Sequence, residues 1–184
     1  MKHDLIELLG RHSPGDDVER RHRDQAMAFI HSTPACTSRA TLDGHVTASA
    51  WILSPDSREV LLTHHRKLDR WLQLGGHVED DVAIQQAALR EAREESGIDD
   101  ICLVSNALFD IDVHPIPARG AEPAHYHYDF RFLLQAGNTG FIIGDESHDL
   151  AWVDLAVCLG EEVDESIRRM ARKSTQYLPR IFDT

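Results

Sequence analysis

Cysteine is scarce in this sequence. Cys36, Cys102 and Cys158 are odd in number and far apart, which argues against a disulfide framework and for a reducing compartment. All three are expected as small core residues. Positive charge is short as well: 19 lysines and arginines face 31 acidic residues, a formal net charge of −12. Such a field does not draw the chain to a polyphosphate backbone, so duplex nucleic acid is not expected as a bulk partner. A phosphorylated small molecule stays open, provided that local cations or a metal meet its charge. Long apolar runs are also missing. The opening MKHDLIELLGRH is too short in its apolar part for a signal peptide, and nothing reaches the length of a membrane span. A cytoplasmic protein without a membrane partner is expected. Neither repeats nor low-complexity tracts occur, and 184 residues suffice for one domain with an extension.

The chain changes character near residue 43. Before it, DLIELL (4–9) reads as a short helix ending at Gly10. A longer helix follows Asp16 and Asp17, which suit an N-cap and first turn, with Val18, Ala26, Met27, Phe29 and Ile30 as buried positions. Residues 1–42 are thus expected as a helical extension packed on the core. After it, HVTASAWIL and VLLTHH read as strands around the turn SPDSRE. ICLVSNALFDIDVHPI suggests one or two strands, and AHYHYDFRFLLQA alternates strictly. AWVDL and a helix over about 162–177 close the chain. A central helix between hairpin strands predicts an α+β sandwich rather than a regular βαβ array.

That central helix carries the chemistry. At roughly 100° per residue with Ile84 at zero, Ala87 and Ala88 define an inward stripe at about −60° and +40°. Glu91, Glu95 and Glu94 fall at about −20°, +20° and −80° on the same wheel. Three carboxylates there must neutralise, pair or hold a cation. Arg90 can pair with Glu94 four residues on, but one arginine does not compensate three acids. A hard divalent cation with oxygen ligands does, and Mg²⁺ is the usual choice where phosphate completes the coordination.

The stretch GGHVEDDVAIQQAALREAREESGI (75–98) resembles the Nudix box, G-x5-E-x7-R-E-U-x-E-E-x-G-U with U bulky and aliphatic. Gly76, Arg90, Glu91, Glu94, Glu95, Gly97 and Ile98 match. Val82 stands at the first glutamate and Ala92 at an aliphatic position, with Glu79, Asp80 and Asp81 just upstream of Val82 to take over its bracing role. The resemblance implies a Nudix α/β/α sandwich with a mixed sheet over 43–184. It also implies metal-dependent hydrolysis of a pyrophosphate bond in a nucleoside diphosphate-linked small molecule, with Mg²⁺ as cofactor and Mn²⁺ as the alternative. By that resemblance Glu91, Glu94, Glu95 and the Gly76 carbonyl hold the metal. A general base is required as well, Glu91 or Glu94 first and Glu146, in the loop before AWVDL, second. Nudix proteins are often homodimers, and residues 1–42 would form that surface or cover the pocket.

Outside the box, HYHYDFR splits by parity. Tyr126, Tyr128, Phe130 and Phe132 are expected to face the core. His125, His127, Asp129 and Arg131 face solvent or the substrate. His125 and His127 could hold zinc but have no clear partners in the sequence, and the remaining histidines read as scattered. Arg66 and Lys67, in a basic loop before the box, could meet phosphates or a ribose. The alternatives to a hydrolase are a non-hydrolytic nucleotide-binding or regulatory domain, favoured by Val82, and isomerisation of a prenyl diphosphate, disfavoured because no cysteine-centred site is evident.

Overall fold

The computed structural model describes residues 1–66, 69–79, 81, 83–120, 123–144 and 147–181, and the side chains of these except at 147 and 176–181. In chain order the elements are α1 (Lys2–Arg11), α2 (Asp17–Ser32), β1 (Gly44–Leu53), β2 (Glu59–His65), β3 (Arg70–Leu72), β4 (Leu74–His77), α3 (Ile84–Ser96), β5 (Ile101–Leu103), β6 (Asp110–Ile116), β7 (His125–Ala136), β8 (Ser147–Asp154), α4 (Leu155–Cys158) and α5 (Glu165–Ile181).

The sheet is built around β1, which is buried along its whole length. It runs parallel to β7 from Gly44↔Tyr126 to Leu53↔Gln135. Its middle, Thr47 to Ala50, pairs antiparallel with β4 and its end with β2. β7 pairs with β6 along its first half and with β5 at its end, and β8 runs along β2. One parallel pair among antiparallel ones makes the sheet mixed.

A central strand covered on both faces contributes alternate residues to two cores. Val46, Ala48, Ala50 and Ile52 join Phe130, Phe132, Ala87, Ala88 and the N-terminal Leu5, Leu9, Phe29 and Ile30 in one cluster. Trp51 and Leu53 join Leu133, Ile167, Met170 and Ala171 in the other. Helices therefore cover both faces, as expected for an α/β/α sandwich. Trp51 Nε1 donates to Ser174 Oγ at 2.7 Å, which satisfies the buried indole.

Local rules explain the helix ends. Asp16 caps α2 by accepting the Glu19 amide at 2.8 Å. Gly97 ends α3 at φ 67°, where a left-handed residue is needed. Two details differ from expectation. α1 runs through Gly10 to Arg11, because the buried Leu5 and Leu9 anchor it strongly enough to absorb the roughly 1 kcal/mol that glycine costs a helix. Cys36 and Cys158 are buried, but Cys102 is exposed, as the middle residue of a three-residue strand with its side chain turned outward. Among the described residues no helix is long and apolar enough to cross a membrane.

Candidate active site

α3 lies across β1 and β4 so that its C-terminal acids meet the glycine pair within β4. Glu95 accepts the Gly75 amide at 3.1 Å. A side chain on Gly76 would put its first carbon 2.6 Å from Glu91 Cδ and 2.7 Å from both carboxylate oxygens, so glycine is what lets the chain pass Glu91. Gly76→Ala is expected to lower divalent metal affinity about 10- to 100-fold with little loss of stability, since the displaced group is the end of a flexible side chain. Calorimetric metal titration alongside thermal melting checks this, and unchanged affinity would contradict it.

The three glutamates are not equally buried. Glu91 is 15% exposed, whereas Glu94 is 59% exposed. This corrects the reading of all three as inward: Ala92 and Ser96 are buried, which centres the packed stripe away from Glu94. Burial pushes the Glu91 carboxyl up, Arg90 opposes this, and Glu94 and Glu79 reinforce it. A carboxyl shifted this way holds a proton more readily than a free one, which is the direction a proton-accepting group needs.

Arg90 joins one oxygen each of Glu91 (2.9 Å) and Glu94 (3.0 Å). It also donates to Asp81 at 3.0 Å and to the His77 carbonyl at 3.0 Å. Burial disfavours its charge, but the bonds to Asp81 and Glu91 outweigh that and hold it protonated. Asp81 thus occupies the pairing role open at Val82, which itself lies outside the described residues along with Asp80. With Asp81 added, one guanidinium stands against still more negative charge, which strengthens the case for a cation.

The acids open on a cavity of about 660 Å³, a size suited to a small ligand. Its opposite wall is the polar face of the sheet. Register sets His45, His127 and His114 side by side on β1, β7 and β6, with Thr47, Asp129 and Asp112 in the next row. β4 brings His77 opposite Thr47. The histidines that read as scattered in sequence therefore converge. Ligand atoms of His45, His77 and His127 lie within 4.8 Å of one another, and His125 Nε2 is 3.3 Å from His127 Nε2. Burial first, then the neighbouring rings, push His127 down to about 2.

The remaining sequence-predicted residues divide. His125, His127 and Asp129 line the cavity, although Asp129 is saturated by donors from Thr47, Ser49, Gln73 and Arg131. Arg131 lies behind that wall, 3% exposed, against Asp110, Asp112 and Asp129. It is placed to hold the wall rather than to touch a ligand. On the opposite face Phe130 and Phe132 are fully buried, but Tyr126 is exposed, and Tyr128 stacks on Phe29 of the N-terminal segment at 3.9 Å. Arg66 is exposed on the β2–β3 turn and is absent from the lining, whereas Lys67 and Glu146 lie outside the described residues. Sequence reasoning missed Arg39 and Arg119, the arginines other than Arg90 that line the cavity. Neither belongs to a motif, so only the fold brings them to the site.

A mixed sheet between helices, with an Arg-Glu helix end against a glycine pair in a strand at a cavity, defines a class of domain. The model of the NUDIX domain matches residues 43–173, and the chain belongs to that family. No curated protein matches it. Among solved structures, a NUDIX-family hydrolase from Clostridium perfringens is 25% identical, with a TM-score of 0.55, covering 73% of this chain and 97% of its own. An Ap4A hydrolase from C. elegans, in a binary complex, is 17% identical with a TM-score of 0.53, covering 73% and 97%. The NUDIX domain of Shewanella oneidensis NrtR, complexed with ADP ribose, is 17% identical with a TM-score of 0.53, covering 82% and 97%.

Proposed function

We propose that this chain is a metal-dependent hydrolase of the pyrophosphate bond in a nucleoside diphosphate-linked small molecule. The observation that carries the reading is Glu91 against Gly76 and Glu95 on the Gly75 amide at the wall of a cavity, with Arg90 shared between Glu91 and Glu94 on the same helix end. The donor set suits a hard cation in kind: the Glu91 carboxylate stands beside a position that only glycine leaves open, and Glu95 stands on the neighbouring Gly75 amide. Mg²⁺ would be held by Glu91, Glu94 and Glu95 with the Gly76 carbonyl, and Mn²⁺ is the alternative. Its contribution is to neutralise phosphate oxygens and acidify water.

The chain's own residues do the rest. Glu91, with its raised affinity for a proton, is the first choice as general base, with Glu94 next and Glu146 as the loop alternative. Arg90 positions Glu91 and Glu94, and Asp81 fixes Arg90. His125 and His127 bound the substrate from the sheet side, and Arg39 and Arg119 supply positive charge at the cavity. The reading includes a cytoplasmic setting and a homodimer, and a monomeric mass in sedimentation would remove the dimer.

Product release from a panel of ADP-ribose, a dinucleoside polyphosphate, an oxidised nucleoside triphosphate and a sugar nucleotide tests the proposal, with Mg²⁺, Mn²⁺ or chelator. Cleavage of one member that chelator stops is expected. A non-hydrolytic nucleotide-binding domain is the second reading, favoured by Val82 and opposed by the Asp81–Arg90 pair. It predicts calorimetric binding of a panel member with no product under any condition.

A further inference from the structure

We propose a second metal site, made of nitrogen rather than oxygen ligands: His45 of β1, His77 of β4 and His127 of β7 hold a divalent transition metal of the zinc class, with a remaining position open to the cavity. Three neutral imidazoles plus one exchangeable oxygen ligand form a common open zinc arrangement, whereas Mg²⁺ prefers oxygen donors. The triad's ligand atoms already lie within 4.8 Å of one another. Two nitrogens on one tetrahedral zinc stand about 3.4 Å apart, so a small rotation of side chains closes the set.

Three further observations point the same way. First, the rings crowd together. His45 lies 5.0 Å from His77 and 4.8 Å from His127, centroid to centroid, and His45 and His127 are adjacent on paired strands. Charged imidazoles at this spacing repel one another, and a neutral imidazole presents the lone pair a metal needs. Second, a flanking ring sets the His127 tautomer, with an N–H on Nε2 facing His125 and a lone pair left on Nδ1 for a metal. His125 Nδ1 faces the Pro123 carbonyl at 2.9 Å. A carbonyl only accepts, so the neutral ring carries its proton there and turns the Nε2 lone pair toward His127 at 3.3 Å. His114 Nδ1 faces the Asp112 carboxylate at 3.1 Å, and its ring lies 5.6 Å from that of His127, centroid to centroid. Third, access is provided, because His77 and His127 line the same cavity as Glu91 and Glu95. An anionic oxygen entering that cavity would complete the coordination. The proposal stands apart from the hydrolase reading, since a domain that cleaves nothing would still bind zinc here.

The test uses the full chain, stripped of metal, with zinc titrated against a chromogenic chelator in excess Mg²⁺. One equivalent that Mg²⁺ does not displace is expected, with His77→Gln and His127→Gln each lowering affinity at least about 100-fold and Glu94→Gln leaving it unchanged. Zinc displaced by Mg²⁺, or an equal loss in Glu94→Gln, would place the ion on the carboxylates and overturn the proposal. Because His127 is largely buried, melting is measured for each variant. Should a histidine variant unfold, X-ray absorption of zinc-loaded wild type decides. Imidazole nitrogens in the first shell support the site, and a shell of oxygens alone refutes it.

Discussion

Changing Glu94 and Glu95 together to glutamine lowers turnover on the order of 10³-fold or more, while the folded state is nearly untouched. The substitution removes charge and little else. Glu94 is 59% exposed and its packing is slight. Glu95 accepts the Gly75 amide, and a glutamine oxygen accepts it as well. Stability should therefore move by less than about 0.5 kcal/mol, as for surface changes away from special features. What is lost is two of the three carboxylates of the proposed cation site, and with them part of the negative field that keeps Arg90 in place. Initial rates on the cleaved substrate, paired with melting curves, check both halves. Turnover within tenfold of wild type would remove these glutamates from the reaction.

Asp110→Asn has the opposite profile, a large loss of stability away from the acids of α3. Asp110 is fully buried. Arg169 meets it with two bonds of 2.8 Å, and Arg131 and Lys173 stand at 3.4 and 3.0 Å. Burial pushes its carboxyl up, but the hydrogen bond from Arg169 and the charges of Lys173, Arg131 and Arg169 outweigh that and hold it below the ordinary range. Asp112 is lowered in the same direction, against burial, by Arg131 and by hydrogen bonds from His114 and His22. Lys173 also pairs with Glu19 of α2, so the network ties the N-terminal helices, β6, β7 and α5 together. Removing its central anion leaves buried cations short of a partner. Such a break costs about 3–5 kcal/mol, on the order of 10 °C in Tm for a chain of this size. The pH dependence follows from the sign of the shifts. A carboxyl lowered on folding contributes stability that is fully present above its unfolded value of about 4. That stability is lost as pH falls below this value toward the folded one. Wild type should therefore weaken steeply below about pH 4, and the Asp110→Asn variant should be weaker at neutrality but lose less on acidification. Parallel acid curves for the two proteins would contradict this.

The sequence shows the central helix clearly because its signals are local. Apolar spacing, the Arg-Glu pair and Gly97 all act within a few turns, and the structure places them as the spacing implies. Parity along 125–132 is equally local and separates the two faces of β7. What escapes the sequence depends on pairing over long distances. His45 and His127 are neighbours only because β1 and β7 run parallel in one register, and nothing in either strand announces that register. The aspartate-arginine network is hidden for the same reason, since β6, β7 and α5 supply its members, and Arg131 reads as a substrate contact until Asp110 and Asp112 are seen around it. The exposure of Glu94 is a finer miss. A helical wheel gives angles but not the direction of the neighbouring sheet, and here burial of Ala92 and Ser96 sets that direction. Asp81 shows how a motif can shift by one residue in a loop, where chain path is not tied to helical spacing, and still supply the same partner to Arg90.

We propose that this cavity hydrolyses a phosphoanhydride with a divalent cation at Glu91, Glu94 and Glu95. The most direct measurement follows product by phosphorus NMR in heavy-oxygen water, with Mg²⁺ and with chelator, using the panel member that binds best. Phosphate product carrying one oxygen from water is expected in the Mg²⁺ sample and none in the chelated one. Binding without labelled product in Mg²⁺ or Mn²⁺ would contradict it and leave a domain that holds its nucleotide without cutting it.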